Sequence, residues 1–327
     1  MPNKVKILIT GASGFIGRHL SKYLLDKGFY VIGTYNRRKP EIVHNYFEAL
    51  NIKDAESKGS WLPIVSRVDY IVHLIGKAHV FDKKNKSFLE EFRNVNVEIT
   101  RALASSCLSS KSLKKFIYIS SISAVTSSSN LPLDENSVCR PDTEYGMTKY
   151  EAEKVLQEIL GELKCWCILR PPSIYGPGDP GNLSRLINLI KKSVPLPLLK
   201  IENKRSFLFI GNFNETVYRL IIRDDICFKK YVVADNEIIS TPQLINLIAE
   251  LLNKKIFMFS FRSGCLSGLA KICDSINNLY GVEIGINSYA IERLIGSLVI
   301  DNSRIKKDLN FDMPFSLQEG LKQTLKG

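Results

Sequence analysis

The sequence predicts an α/β protein with a doubly wound parallel sheet in its first half and a smaller C-terminal α/β lobe. Three observations predict this fold. Short β-branched runs alternate with segments that carry apolar residues at helical spacing. A glycine-rich turn separates the first run from the first helical segment, and the alternation ends at Pro171-Pro172. At 327 residues, the chain is long enough for a large domain and a smaller lobe.

Five strands and three helices are predicted before Pro172. The strands are Val5–Thr10, Tyr30–Tyr35, Val68–Ile75, Lys115–Ser120 and Cys165–Arg170. The helices are Phe15–Lys27, Asn94–Leu108 and Glu144–Leu160. In the first helix, Ile16, Leu20 and Leu24 share one face, and the pattern stops before Gly28.

The character of the sequence changes after Pro172. A turn-rich connection spans residues 176–181, and a mixture of helices and short extended segments follows it. The predicted helices are Leu183–Lys192 and Pro242–Leu252, and the extended segments are Phe207–Ile210 and Tyr231–Ala234. We expect one domain over residues 1–172 and a lobe over residues 173–327, with some later strands returning to the first sheet.

The net charge of +12 raises the question of an anionic partner. Lysines and arginines are scattered in short pairs such as Lys83-Lys84 and Lys306-Lys307, without interleaved aromatic residues. This pattern is typical of a solvated basic surface rather than of a nucleic-acid interface.

The N-terminus and the cysteines favour a cytoplasmic protein. Residues 1–6 do not resemble a signal peptide, and no apolar run is long enough to span a membrane. Seven cysteines form no CxxC pair, and Cys165 and Cys167 lie at strand spacing, so that both pack on one face. An odd count without a disulfide framework is typical of the reducing cytosol.

A metal site is not expected. The four histidines are scattered and form no HxxxH or Cys/His cluster. His73 lies in an apolar strand, where a hydrogen-bonded core histidine is the favoured interpretation.

The glycine turn consists of Gly11, Gly14 and Gly17 between the first strand and the first helix. The first glycine permits a tight turn, the second lets the backbone approach a phosphate, and the third lets the helix pack on the strand. The helix N-terminus then offers N–H groups to an anion. This arrangement predicts a Rossmann-type dinucleotide site.

The turn after the second strand indicates which dinucleotide binds. An acidic residue there would hold the ribose hydroxyls of NAD. The sequence instead has Arg37 and Arg38, with no carboxylate before Glu41. Arginines at this place suit the 2′-phosphate of NADP, so NADP(H) is favoured and NAD(H) is the alternative. The competing interpretation is a basic loop that faces water.

Tyr145 and Lys149 lie four residues apart at the start of a predicted helix, and therefore on one face. A lysine in this position lowers the pKa of the phenol, which can then exchange a proton near neutral pH. Ser120 and Ser121 end the preceding strand, at the sheet edge where α/β proteins bind ligands. A serine hydroxyl there can hydrogen-bond an oxygen held against the tyrosine.

These residues carry a family resemblance. The chain resembles the extended short-chain dehydrogenase/reductase family, in its nucleotide-sugar epimerase/dehydratase branch. The matching segments run in the family's order over about the first 180 residues. They are the glycine turn, Val72–Gly76, Asn94–Val97, Phe116–Ser121, Tyr145-x-x-x-Lys149 and Leu169–Gly178.

The second half resembles a narrower bacterial group that makes deoxy-amino sugars for O-antigens and capsules. The matching segments are Asn182–Leu186, Pro195–Pro197, Arg205-Ser206, Leu294–Asp301 and Pro314–Leu321, together with Gly76–Val80. Several members of the group reduce the 4-keto group of a UDP-4-keto-6-deoxy-N-acetylhexosamine, and close relatives epimerise UDP-hexoses at C4.

The resemblance implies roles for matched residues. Tyr145 would be the acid/base, Lys149 its tuner and a ribose ligand, and Ser121 the orienting hydroxyl, which an alternative alignment moves to Ser123. Asn182 and Arg205 would contact the nucleotide diphosphate of the substrate. His79, which lies beyond the carboxyl end of its strand, is a further candidate to border the substrate. The remaining implied cofactor contacts are Phe15, Ile16, Ile52, Leu74, Gly76, Asn96 and Pro172.

Two positions depart from the family's pattern. The usual His-Leu-Ala-Ala strand end is His-Leu-Ile-Gly here, which alters the packing around the cofactor's ribose. Gly211 stands where relatives usually carry an aspartate after valine or isoleucine.

The resemblance leaves three functions open. A reductase would pass hydride from NADPH to C4 of a keto sugar, and Arg37-Arg38 favours this reaction. A 4-epimerase would keep NAD bound and return the hydride to the opposite face. A non-catalytic dinucleotide sensor would not need the proton-transfer group at Tyr145. The resemblance also implies a nucleotide-sugar partner and a homodimer formed through the tyrosine-bearing helix.

Overall fold

A computed structural model describes residues 4–78, 88–260 and 293–326. Its strands are β1 (Lys6–Thr10), β2 (Tyr30–Tyr35), β3 (Phe47–Asn51), β4 (Tyr70–His73), β5 (Lys115–Ile119), β6 (Ser129–Leu133), β7 (Trp166–Arg170), β8 (Ile174–Tyr175), β9 (Arg205–Ser206), β10 (Leu208–Phe209), β11 (Lys229–Val232), β12 (Ile238–Ile239) and β13 (Leu298–Ile300). Its helices are α1 (Phe15–Asp26), α2 (Lys58–Val65), α3 (Phe88–Arg93), α4 (Ile99–Cys107), α5 (Glu144–Leu160), α6 (Asn182–Lys191), α7 (Ile210–Ile222), α8 (Thr241–Leu251), α9 (Ser303–Leu309) and α10 (Leu317–Lys326).

Seven parallel strands form the main sheet, in the order β11-β7-β5-β4-β1-β2-β3. The chain builds outward from β1 in one direction through β2 and β3, and in the other through β4, β5, β7 and β11. The doubly wound α/β fold predicted from the sequence is therefore confirmed. The change of direction between β1 and β4 opens a crevice at the carboxyl ends of the strands.

Alternating side chains of the sheet form two cores. Ile7 and Ile9 of β1 point to one face, where they join a cluster with α1, α6, α7, α8 and α10. Leu8 points to the opposite face, where it joins a cluster with α2, α4 and α5. All three side chains are fully buried. Central strands of a sheet that is covered on both faces have to be apolar throughout, and the apolar runs in the sequence reflect this burial.

The chain after β7 divides between the main sheet and a separate lobe. Strand β11 pairs with β7, so residues beyond 172 complete one edge of the main sheet. The lobe contains a four-stranded sheet in the order β12-β9-β13-β6 and a short β8–β10 pair. Strand β6 precedes residue 172, so the first half of the chain also contributes to the lobe.

The cysteine pattern predicts no disulfide framework, whereas the structure joins Cys165 to Cys227, with their Cα atoms 5.0 Å apart. Cys165 directly precedes β7 and Cys227 precedes β11. Because these strands are neighbours, the two residues meet although they are 62 positions apart in sequence. Cys167 lies in β7 as a buried free thiol.

Candidate active site

The crevice at the carboxyl edge of the sheet contains a cavity of about 400 Å³. The residues that line it come from the glycine turn, from the segment after β5, from the start of α5, and from the start of α6 together with Arg205. Most residues that the sequence assigns to the site meet here. They are Gly11, Gly14, Phe15, Ile16, Gly17, Leu74, Gly76, Ser121, Tyr145, Lys149, Pro172, Asn182 and Arg205.

The glycine turn needs two of its glycines for different reasons. Gly11 has a φ of +70°, a left-handed conformation that glycine adopts without strain. A Cβ atom on Gly17 would lie only 2.3 Å from the carbonyl oxygen of Gly11. Helix α1 therefore packs directly on the turn. Its N-cap, Gly14, brings no side chain to cap the helix, so the first amide groups are available to an anion.

Helix α5 places Tyr145 and Lys149 on the cavity. The Thr143 side chain caps the helix by accepting a hydrogen bond from the Gly146 amide, at 3.0 Å. A Cβ atom on Gly146 would lie 2.2 Å from the Ser123 carbonyl oxygen, so only glycine permits this approach. This close contact packs the helix start against the segment after β5, and Tyr145, Ser121 and Ser123 all line the cavity.

Lys149 is almost fully buried, with 3% of its surface exposed. Its Nζ donates a 2.7 Å hydrogen bond to the Ile119 carbonyl oxygen and lies 4.3 Å from the centre of the Tyr118 ring. Burial lowers the pKa of Lys149 to about 7, and the charge of Glu153 opposes that shift. The lysine is thus poised to change its charge near neutral pH.

Two serines border the cavity next to Tyr145. Ser121 lines it and accepts a 3.1 Å hydrogen bond from the Ser123 amide through its own Oγ, which starts the 3₁₀ turn Ile122–Ala124. Ser123 also lines the cavity but is buried. Both positions that the alternative alignments suggest therefore line the same cavity as Tyr145.

The lobe contributes Asn182 and Arg205 to the cavity lining. Asn182 is the first residue of α6, whose N-cap Gly181 provides no capping side chain. Arg205 is 6% exposed, donates a 2.9 Å hydrogen bond to the Gly296 carbonyl oxygen, and lies over the Phe207 ring. A helix N-terminus and a guanidinium group that line the same cavity favour the binding of an anionic group.

Four of the assigned residues that the structure describes do not line the cavity: Arg37, Arg38, Ile52 and Asn96. Arg37 and Arg38 are exposed after β2, and Arg38 forms an ion pair with Glu41 at 2.5 Å. Ile52 is buried directly after β3, where its amide donates to the Tyr35 carbonyl oxygen. His79 lies outside the described residues.

Asn96 is fully buried and supports two segments that lie at the cavity. It lies in a π-helical turn, Asn94–Glu98, between α3 and α4. Its Oδ1 accepts from the Lys77 amide at 2.7 Å, and its Nδ2 donates to Thr148 Oγ1 at 2.9 Å. One side chain thus ties the segment after β4 to helix α5. A Cβ atom on Gly76 would lie 3.3 Å from the same Oδ1, so the glycine leaves this contact undisturbed.

His73 has the structural role that its apolar strand suggested. Its ring nitrogens hydrogen-bond to the hydroxyls of Thr10 and Thr100, at 2.7 and 3.0 Å. Burial, followed by the charge of Lys149, lowers the pKa of His73 to about 3, so the ring is neutral.

Some lining residues were not found from the sequence. They include Asp179, Phe207, Thr241, Leu244 and Arg293. Asp179 is the single carboxylate among the described residues that line the cavity, and the Gly181 amide donates to its Oδ1 at 2.7 Å. The turn-rich segment around it was a usable signal, because binding residues concentrate on such loops. The others come from separate parts of the lobe, and no local pattern marks them.

Two features are absent from the described part of the chain. No helix there is long and apolar enough to cross a membrane. No group of three or more histidine, cysteine or acidic side chains within those residues is arranged to hold a metal ion.

The chain is similar to known proteins over nearly its whole length. The chain is 31% identical over 325 residues to a UDP-glucose 4-epimerase of Vibrio cholerae, covering 97% of this chain and 94% of the relative. It is 25% identical over 324 residues to an N-acetyl-α-D-glucosaminyl-diphospho-ditrans,octacis-undecaprenol 4-epimerase of Escherichia coli O157:H7, covering 98% and 94%.

The fold is shared with solved structures. A UDP-glucose 4-epimerase of Thermotoga maritima, solved with UDP-glucose, superposes with a TM-score of 0.76 at 20% identity, covering 98% of both chains. The model of the NAD dependent epimerase/dehydratase family matches residues 7–234. That match spans more than half of the sequence, and the chain belongs to the NAD dependent epimerase/dehydratase family, whose members are enzymes of the extended short-chain dehydrogenase/reductase type.

Proposed function

We propose that this protein transfers hydride at C4 of a nucleotide sugar, with Tyr145 as the acid/base. One observation carries the proposal: a single cavity connects the glycine turn, the Tyr145/Lys149 pair with Ser121, and the basic end at Asn182 and Arg205. A dinucleotide bound at the glycine turn and a sugar diphosphate bound at Asn182 and Arg205 would meet at the tyrosine. The sensor alternative lacks support, because a sensor has no need of a buried lysine beside a phenol.

The residues present fit a nicotinamide dinucleotide. Gly17 leaves no space for a Cβ atom, and the uncapped start of α1 offers amide groups to a diphosphate. When bound, the nicotinamide ring supplies or accepts the hydride. Leu74, Gly76 and Pro172 would line its path toward Tyr145.

Side chains of the protein would transfer the proton. Tyr145 would remove a proton from the C4 hydroxyl, or return one to the C4 carbonyl oxygen, as the hydride moves. The Lys149 ammonium group, one helical turn along the same face of α5, would stabilise the phenolate electrostatically. Ser121 would donate a hydrogen bond to the same sugar oxygen and hold it against the tyrosine.

The lobe would hold the nucleotide diphosphate. Helix α6 directs its N-terminal amides to the cavity at Asn182, and Arg205 adds a fixed positive charge. We propose UDP as the nucleotide, because the Vibrio cholerae relative is named as a UDP-sugar enzyme and covers nearly the full chain.

The first candidate reaction is 4-epimerisation. Both full-length relatives above are named 4-epimerases, and such an enzyme keeps its NAD because the hydride returns to the same sugar. The second candidate is reduction of a UDP-4-keto-6-deoxy-N-acetylhexosamine by NADPH. It is favoured by the turn after β2, where Arg37 is exposed and no carboxylate precedes Glu41, which is itself paired with Arg38.

Cofactor stoichiometry separates the two reactions. With UDP-glucose or UDP-N-acetylglucosamine and no added cofactor, an epimerase is expected to produce the C4 epimer without a change in near-ultraviolet absorbance. Nuclear magnetic resonance of the sugar nucleotides measures the product. If the protein instead oxidises one NADPH per molecule of the 4-keto sugar and forms no epimer, reduction replaces epimerisation. The absence of both reactions would overturn the C4 proposal.

A charge reversal at Arg37 tests the cofactor of the second candidate. Reduction with NADPH requires a partner for the 2′-phosphate, so Arg37→Asp is expected to raise the KM for NADPH by roughly ten- to a hundredfold. This range corresponds to the loss of about 1.5–3 kcal/mol of charge-assisted bonding. The KM for NADH in the same variant is the internal control. Equal changes for both cofactors would show that Arg37 only faces solvent.

A further inference from the structure

A third side chain continues the helix face that carries Tyr145 and Lys149. Glu153 follows Lys149 by four residues on α5 and therefore lies one turn further along the same face. It is 1% exposed. An ionised carboxylate is rarely buried to this extent unless it has several partners.

Glu153 has partners from two strands. Its Oε1 accepts hydrogen bonds from Ser120 Oγ at 2.5 Å and from Arg170 Nε at 3.0 Å. Its Oε2 accepts from Arg170 Nη2 at 2.6 Å. Arg170 therefore donates a hydrogen bond to each carboxylate oxygen of Glu153, and the Ser120 hydroxyl donates a third.

Both partners of Glu153, Ser120 and Arg170, lie directly before residues that line the cavity. Ser120 follows β5 and directly precedes Ser121, while Arg170 ends β7 and precedes Pro171-Pro172, which line the cavity. One carboxylate thus fixes the tyrosine-bearing helix to the ends of two strands from which the cavity is built.

Fold stability alone does not explain the pair. Arg170 and Glu153 are both fully buried, with 2% and 1% of their side chains exposed. Removing two charges from water offsets most of their attraction, and apolar side chains of similar volume often replace such pairs without loss of stability. A role in the adjacent site is the better physical explanation.

The charges around Lys149 indicate what that role is. On α5 the lysine has Tyr145 on one side and Glu153 on the other, and from β5 it contacts Tyr118 and the Ile119 carbonyl oxygen. His73 on β4 is neutral, and Arg170 on β7 lies against Glu153. Burial lowers the pKa of Lys149, and Glu153 is the carboxylate that opposes this shift.

We propose that Glu153 is a positioning residue of the C4 reaction, which keeps Lys149 charged and holds the Ser120-Ser121 segment against helix α5. The inference rests on the proposed function for its catalytic consequence. Glu153 does not line the cavity among the residues described, so it acts through Lys149 and the serine segment.

The test is the pH dependence of turnover in Glu153→Gln, which keeps the shape and removes the charge. The activity requires the Lys149 ammonium group, so it falls as the pH rises through the pKa of Lys149. Without Glu153, the fall in activity at alkaline pH is expected to begin about one pH unit lower. At pH values above this fall, kcat is then about tenfold lower than in the native protein. The KM for the sugar nucleotide is expected to change little. Glu153→Asp keeps the charge and is expected to restore most of the profile.

A matched control lies on the outer side of the same helix. Glu151 forms an exposed ion pair with Arg93 at 2.5 Å, so Glu151→Gln also removes an ion-paired carboxylate from α5. It is expected to leave the pH profile unchanged. An unchanged alkaline limb in folded Glu153→Gln would overturn the proposal, as would an equal shift in Glu151→Gln.

Folding and function can be checked separately. Glu153→Gln leaves Arg170 buried without a carboxylate, so the double variant with Arg170→Gln serves if the single variant does not fold, and a smaller shift in the same direction is expected. The ¹³Cε resonance of Lys149, assigned with Lys149→Arg, reports its titration without any substrate. A downward shift of that titration supports the role of Glu153 even if the C4 reaction is not observed, and no shift refutes it.

Discussion

Replacing Tyr145 with phenylalanine is expected to lower turnover by a factor of about 100 or more, because the phenol is the group that moves the proton. The substitution keeps the aromatic ring, so the cavity wall and the start of helix α5 stay as they are. Dinucleotide affinity, followed by fluorescence quenching, is expected to change little. The loss therefore falls on kcat, measured under saturating substrate.

Tyr150 provides the control for this experiment. It lies on the same helix, does not line the cavity, and carries Lys154 over its ring. Tyr150→Phe removes the same hydroxyl group from α5 and is expected to leave turnover unchanged. Near-normal turnover in Tyr145→Phe would remove the tyrosine from the role of acid/base.

Gly17→Ala is expected to destabilise the fold and weaken dinucleotide binding together. The added Cβ would lie 2.3 Å from the Gly11 carbonyl oxygen and 2.7 Å from the Ala12 Cα, both backbone atoms that cannot turn away. Helix α1 has to move off the turn, at a cost of about 1–3 kcal/mol. If this free-energy cost is paid when the dinucleotide binds, the affinity for the dinucleotide drops by roughly ten- to a hundredfold. Thermal unfolding and titration calorimetry measure the two effects.

Gly59→Ala is the control for added volume. A Cβ at Gly59 would have its nearest neighbour 3.5 Å away, in ordinary contact, and Gly59 is an exposed residue of helix α2 that does not line the cavity. This change is expected to leave binding unaffected and the fold slightly more stable, since alanine favours helices. If Gly17→Ala bound the dinucleotide as tightly as the native protein, the glycine turn would not be its site.

The main sheet could be predicted because its central strands are buried on both faces. Strands β1, β2, β4, β5 and β7 lie within one or two residues of their predicted positions, since their apolar runs are bounded by clear turns. Strand β3 was missed because Phe47–Asn51 is a half-buried edge strand with glutamate and alanine. Helix α2 was missed because Gly59 and Pro63 both disfavour helices, and Pro63 lies inside it.

Helix α7 shows how tertiary contacts decide a local pattern. Residues Phe207–Ile210 were predicted as one extended segment, but the helix starts at Ile210. Gly211 explains the departure from the family's aspartate: a Cβ there would lie 2.6 Å from the Phe209 ring and 2.9 Å from the Phe315 ring. Phe315 comes from the far end of the chain, so no local pattern could reveal this contact.

The candidate site was predictable where it is local in sequence. The glycine turn and the Tyr145/Lys149 pair have fixed spacings that reflect a turn and a helical repeat. Glu153 shares that repeat, but its importance depends on Ser120 and Arg170, which only the folded sheet brings to it. The partners at the lobe end, such as Thr241 and Arg293, have no spacing to recognise.

The pairing of β11 with β7 has a consequence for synthesis of the protein in the cell. The ribosome releases the chain from its N-terminus, so β7 is complete long before Lys229–Val232 emerges to cover its outer edge. At ~5–20 residues per second, that edge is unpaired for several seconds. An apolar strand with free amide and carbonyl groups is a template for pairing with other nascent chains. The order of strands along the chain therefore leaves the outer edge of β7 open to such pairing during synthesis.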